Sequence, residues 1–319
     1  MSFTLCVGEA LIDFVAQSTI GDVGGSELFR RAAGGAVANV AVGIARLGGA
    51  AHFAGTLGHD TFGRFLLRTL ALENVHVDGV RTVDEHTTLA FVARGEAGAR
   101  DFFFLRDPGA DSQLVPSDIS AHELAQARML HFGGVLLSSD PGRSTCLFAA
   151  AAAKRAGALV SFDPNARPAL FASSDELKRC LVAGCASAHL VKLSEDDLHE
   201  LGMQLADAPT LINETTRAVI VSRGARGCRW IGAAGAQGDV AAPRVDVVDT
   251  TGAGDAMMAA ILWRLQQAHS ATLSAAALAD AARYGCAAGA LACLREGAIP
   301  ALPTAAALEA MLSRVPQAT

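Results

Sequence analysis

Asp249-Thr250-Thr251-Gly252-Ala253-Gly254-Asp255 is the stretch on which the reading of this chain turns. Val245, Val247 and Val248 alternate before it as a strand would, while Met257, Ala260, Ile261 and Leu265 recur after it at helical spacing. The heptad is therefore predicted to carry the chain from a strand into a helix. Amide N–H groups at such a helix start have no partner within the helix, and with the positive end of the helix dipole they hold phosphate oxygens. Gly252 and Gly254 lack Cβ, so the backbone can approach an anion closely. Asp255 is an odd acid for that place, because a carboxylate beside a phosphate repels it unless a proton or metal intervenes. A general base explains it: the acid accepts a hydroxyl proton while the amides hold charge on the transferred group. As an ionised carboxylate it is a weak base, which a loose phosphoryl-transfer transition state tolerates. The same seven residues also describe a plain turn with a capping acid.

The whole chain narrows the field. Its 319 residues can bury a large core, and a formal charge of -6 argues against a general binder of nucleic acids or anionic membranes. Seven scattered cysteines, without paired C-x-x-C spacing, read as reduced and mostly buried thiols of a cytoplasmic protein. Residues 1–7 read as a first strand with no signal peptide, and charges interrupt the alanine-rich runs, so those runs are expected to be buried helices.

Short apolar strands alternate with helical patterns. Strands are expected at 4–8, 52–55, 129–132, 159–163, 190–192, 218–222 and 228–231. Helices are expected at 37–47, 62–72, 143–156, 176–185, 194–201, 256–267 and 273–291. That alternation predicts an α/β architecture with a mostly parallel sheet covered on both faces. Residues 11–31 and 87–106 break it, with apolar alternation and a hairpin turn expected around Gly95-Glu96-Ala97-Gly98. They form either a lid or an edge extension of the main sheet.

Three further constellations carry chemistry. Gly34-Gly35-Ala36-Val37-Ala38-Asn39 puts two glycines before a helix whose first turn bears an amide, a donor and acceptor suited to a polyhydroxylated ligand. Asp13, an acid on an apolar run, can accept from sugar hydroxyls or simply face solvent. Ser222-Arg223-Gly224-Ala225-Arg226-Gly227 is a glycine turn between strands that can meet a nucleotide or be an ordinary hairpin. Asp60 is read as the cap of the helix at 62–72. No Walker motif, protein-kinase signature, Gly-x-Ser-x-Gly elbow or histidine pair at metal-ligand spacing is present.

Together the two glycine-rich signatures, at 34–39 and 249–255, resemble those of the ribokinase-like PfkB carbohydrate kinase family, and the resemblance spans nearly the whole chain. It implies a single ribokinase-like domain over 1–319, a three-layer α/β/α sandwich with a small β-sheet lid from 11–31 and 87–106. It implies ATP as phosphoryl donor, Mg2+ bridging the phosphates, and a small sugar as acceptor. Asp255 carries over as catalytic base, with Gly252, Ala253 and Gly254 as the anion hole. Asp13, Gly34, Gly35 and Asn39 fall on sugar-binding positions, and Ser222, Gly224 and Gly227 on the nucleotide loop, with Asn165, Lys192 and Ser194 also toward the nucleotide. Asp249, Thr251 and Gly297 resemble a monovalent-cation site for K+.

Within the family, residues 8–14, 102–106, 109–111 and 163–168 look most like fructokinases, which places Phe104, Arg106 and Arg167 against the sugar or its phosphates. Kinases of 2-keto-3-deoxygluconate and of aminoimidazole riboside share much of the pattern, and a non-catalytic sugar sensor would share the fold. Two departures stand out. The usual Asn-x-x-Glu near the metal is Ser194 and Asp197 here, which leaves Asp197 to act on the divalent ion through water, and Cys286 replaces a common asparagine near the nucleotide. An exposed lid sheet would let two copies form a homodimer.

Overall fold

The computed structural model describes residues 2–17, 22–94, 100–268 and 273–314. Among these the strands are β1 (Thr4–Val7), β2 (Leu11–Ala16), β3 (Phe29–Gly34), β4 (Ala51–Gly58), β5 (His76–Val83), β6 (Leu89–Arg94), β7 (Arg100–Leu105), β8 (Met129–Gly133), β9 (Leu159–Asp163), β10 (Leu190–Ser194), β11 (Ala218–Ser222), β12 (Cys228–Gly232) and β13 (Gln237–Val240). The helices are α1 (Ala36–Arg46), α2 (Thr61–Leu72), α3 (Ala121–Gln126), α4 (Gly142–Arg155), α5 (Ser174–Ser187), α6 (Glu195–Glu200), α7 (Ala253–Gln267), α8 (Ala275–Ala292) and α9 (Ala305–Leu312).

Nine strands form one sheet in the order β13-β12-β11-β10-β9-β8-β1-β4-β5, parallel from β5 through β11 with β12 and β13 antiparallel at one edge. Successive strand residues serve opposite faces. In β11, Ala218 and Ile220 join a core with α1, α2, α7, α8 and α9, while Val219 and Val221 join one with α3, α4, α5 and α6. This two-sided burial is why the strands read as continuous apolar runs. Helix α7 is buried almost all round, so its alanines and leucines carry little amphipathic signal.

The second sheet has four strands in the order β3-β2-β6-β7. Its Leu11, Asp13 and Val15, Ala90 and Val92, and Phe102 and Phe104 alternate along three strands and face one cavity. Phe14 and Phe91 stack on the opposite side at 5.0 Å, and Phe14 meets Phe62 of α2 edge-on. Two carboxylates tie the roots of this sheet to the larger one. Asp60 caps α2 through the Gly63 N–H at 2.7 Å and also accepts from the Thr87 N–H at 2.7 Å. Asp111 bonds the Thr88 hydroxyl and the Arg106 Nε, the latter at 2.8 Å. The turn expected at 95–98 lies outside the described residues.

One expectation is corrected here, and two strands appear that the sequence pattern did not show. Residues 245–248 form no strand: Val247 and Val248 are exposed, and Val248 N–H reaches only the Cys293 carbonyl, at 2.8 Å. The valines alternate because Val245 and Val247 line a crevice, whereas the sheet edge is already taken by β13. Strands β5 and β13 were not expected; both are sheet edges with polar residues and an interior glycine, which blunts the strand pattern. Among the described residues no helix is long and apolar enough to cross a membrane.

Candidate active site

The order in which strands are added reverses at β1, which is flanked by the parallel strands β4 on one side and β8 on the other. Open α/β sheets bind ligands outside the carboxyl ends of their strands at such a switch point. Here the loops after β1, β8 and β9 supply Glu9, Val135 and Asn165, and the strands β10 and β11 themselves supply Lys192 and Ser222, to a continuous crevice capped by the start of α7.

Its inner chamber, about 180 Å³, lies between the small sheet and α7. Asp13, Gly35, Asn39, Phe104, Asn165, Arg167, Lys192, Thr251, Gly252, Gly254 and Asp255 all line it. A middle section of about 640 Å³ runs past Arg167, Lys192, Ser194, Asp196, Asp197, Glu200 and Ser222. An outer section of about 530 Å³ is mostly apolar, walled by Gly224, Ala225, Gly227, Val245, Val247, Ala253, Met257 and Cys286. Thr250 and Gly254 border all three. Polar chamber, charged neck and apolar slot follow one another along a single path.

At the chamber floor Asn39 Nδ2 donates to Asp255 Oδ2 at 2.8 Å, joining residues 216 positions apart. Asp255 is 8 % exposed, and Asn39 Oδ1 and Glu9 Oε2 are buried without a hydrogen-bond partner. Gly34 stays out of the lining, but a Cβ there would lie 2.2 Å from Asp13 Oδ2, so its missing side chain is what lets Asp13 fold against β3. Arg167 donates to the carbonyls of Asn165 and Ala166 and lies over the Phe102 ring at 5.1 Å, linking the β9 loop to the small sheet.

In the neck, Lys192 Nζ meets Asp163 Oδ2 at 2.9 Å in full burial. Burial pushes the Asp163 carboxyl up to about 6 against the pull of the ammonium. Burial also opposes charge on Lys192, yet Asp163, Asp197 and Asp255 more than offset that and hold it above its ordinary value. Ser194 and Asp197 form a reciprocal cap of α6, and the other Asp197 oxygen accepts from the Ala166 N–H at 2.8 Å. Asp249 accepts from the Thr251 N–H and hydroxyl and from the Gly297 N–H at 2.9 Å, drawing those three residues together beside the α7 start.

Arg106 is not brought to the chamber lining. Its guanidinium is buried against Asp111 and donates to Ser138 Oγ at 2.7 Å, at the root of the small sheet. Glu9 and Thr250, given no role from sequence, do line the chamber. Position alone could have flagged them: Thr250 sits inside the heptad, and Glu9 immediately follows Gly8 at the end of β1. Sequence spacing showed no histidine pair, but His52, His76 and Glu123 have ligand atoms within 4.8 Å of one another at the amino end of the sheet. The two imidazoles stack at 4.3 Å and 20°, so their lone pairs run side by side and do not converge on an ion.

Gly252 caps α7 with φ 76°, and a Cβ built there meets Ala298 at 2.9 Å. Gly252→Ala is expected to cost about 2 kcal/mol or more from the left-handed backbone and overpacking together. Urea unfolding measures this; unchanged stability would show that the turn relaxes freely.

A polyol-sized chamber with a buried acid, opening through a neck lined by both cations and carboxylates into an apolar slot at a switch point, is the layout of a small-molecule kinase. The chain matches the pfkB family carbohydrate kinases over residues 1–305 and belongs to that family, with its ribokinase-like fold. It is 39% identical over 320 residues to probable fructokinase-6, chloroplastic, of Arabidopsis thaliana, covering 98% of this chain and 83% of that protein. It is similar to the fructokinase of Vibrio cholerae O395 solved with fructose, ADP and a calcium ion (TM-score 0.87, 34% identity, 98% and 99% of the two chains). It is likewise similar to the aminoimidazole riboside kinase of Salmonella enterica with its riboside and an ATP analogue (TM-score 0.82, 32% identity, 98% and 100%).

Proposed function

We propose that this carbohydrate kinase is an ATP-dependent fructokinase in which Asp255 is the general base. The observation that carries the reading is the position of Asp255: it lies on the chamber floor, with Gly254 beside it bordering both the chamber and the nucleotide slot. A primary hydroxyl held in the chamber gives its proton to the carboxylate, and its oxygen attacks the terminal phosphate arriving from the neck. The amides at the α7 start, with Lys192, hold the charge on the transferred group. The small sheet acts as a lid, whose Phe102 and Phe104 keep water from the chamber.

Asp196 and Glu200 offer carboxylate oxygens to the neck, while both Asp197 oxygens are engaged in hydrogen bonds. This oxygen-rich set suits a hydrated Mg2+ held mainly through its waters, which when bound neutralises charge on the phosphates. The Asp249, Thr251 and Gly297 cluster is the place for K+. Fructose is favoured by the similarity to fructokinases, and Arg106, expected to face the sugar or its phosphates, is held by Asp111 outside the chamber lining. The chamber instead offers unpaired acceptors for hydroxyls.

Coupled measurement of ATP consumption with fructose, 2-keto-3-deoxygluconate and aminoimidazole riboside should give the highest kcat/KM with fructose. A higher value with either rival would reassign the sugar. Sugar binding with no turnover would leave a sensor.

A further inference from the structure

Glu9 stands at the switch point but has no part in the phosphoryl transfer described above. It is 1 % exposed and lines the inner chamber. Oε1 accepts a long hydrogen bond, 3.3 Å, from the Val37 N–H in the first turn of α1, while Oε2 has no hydrogen-bond partner. Across from it Gly133 ends β8, and even a built Cβ there would remain 3.9 Å from Oε2, so that position supplies no side-chain donor. A buried acceptor without a donor costs about 1–3 kcal/mol. Asn39 Oδ1 is a second such acceptor on the same chamber wall. Both residues line one small chamber, and a ligand with several O–H donors bound there would satisfy the two buried acceptors.

We propose that Glu9 contacts the substrate: Oε2 accepts a hydrogen bond from a ketohexose hydroxyl other than the one phosphorylated, while Oε1 holds the start of α1. The assignment rests on the fructokinase reading, which leaves the reacting hydroxyl to Asp255. One carboxylate thereby links sugar occupancy to the helix that carries Asn39, the partner of Asp255.

The test is a double-mutant cycle. Dissociation constants for fructose and its 1-, 3- and 4-deoxy analogues are measured by calorimetry with a non-hydrolysable ATP analogue, in wild type and Glu9→Ala. The variant is expected to bind fructose about tenfold more weakly, with one deoxy analogue losing nothing further. Equal losses for every analogue in both proteins, in a wild type that phosphorylates fructose, would overturn the contact alone. A wild type that does not phosphorylate fructose would overturn the parent reading as well. Glu9→Gln serves if the alanine variant does not fold. Its carbonyl must face the Val37 N–H, which turns its amide N–H toward the sugar. A deoxyfluoro analogue rejected by wild type at that hydroxyl is then expected to bind Glu9→Gln better, and equal rejection by both would sink the proposal.

Discussion

Asp255→Asn is expected to lower turnover by about 10²–10⁴-fold while sugar binding is retained. The carboxylate is 8 % exposed and accepts from Asn39 Nδ2 at 2.8 Å. An asparagine is isosteric, and its carbonyl oxygen can take the same hydrogen bond from Asn39. What disappears is the proton acceptor and a negative charge next to the incoming phosphate. Losing that charge should ease ATP binding, so the defect should sit in kcat and leave KM for ATP unchanged or lower. Steady-state kinetics together with sugar calorimetry separate these effects. Turnover within a few-fold of wild type would remove Asp255 from the role of base.

Much of the fold was legible because it is locally encoded. Residues 218–222 are apolar on both sides of the strand, and 143–156 repeat at helical spacing, since each packs one helix layer or face against the sheet. Strand β5 was illegible because an edge strand with Asp78, Gly79 and Arg81 satisfies only one neighbour and half of its side chains face water. The valines at 245–248 misled for the opposite reason: a loop lining an apolar slot alternates much as a strand does.

The site divides along the same line. Asp255 and the glycines were visible because one short turn holds them, and Asn39 because it opens a helix after two glycines. Arg106, whose residue type suits the sugar, lies outside the chamber lining, and only the folded chain shows Asp111 reaching it from the next loop. The role of Asp163 was not legible, since nothing local reveals that Lys192, 29 residues on, meets it in burial. Glu9 is a case in point: an acid after a strand usually faces solvent, and only the folded chain shows it buried between the start of α1 and the end of β8.

Lys192→Met should be among the most destabilising single changes, costing about 3–5 kcal/mol near neutral pH, because it leaves Asp163 buried without its counter-charge. The cost has a definite pH dependence. Asp163 titrates at about 6 in the fold against an ordinary 3.8. The folded state therefore binds more protons between those values, and stability falls as pH rises through about 6. Without Lys192 the folded value climbs further, so the fall continues to higher pH. The deficit of the variant should then be smaller at about pH 5 than at about pH 8, as measured by urea unfolding at both. An equal deficit at the two pH values would mean that Asp163 is not the group left stranded. The double change Lys192→Met with Asp163→Asn separates stability from chemistry. Replacing both charges removes the uncompensated ion and should recover most of the lost stability. Turnover should stay low, because Lys192 lines both the chamber and the neck and its Nζ lies 3.0 Å from a Cβ built on Gly254, within the anion-holding turn. Full recovery of turnover in the double variant would leave Lys192 with a structural task only, and the amides of the α7 start would have to hold the phosphate charge without it.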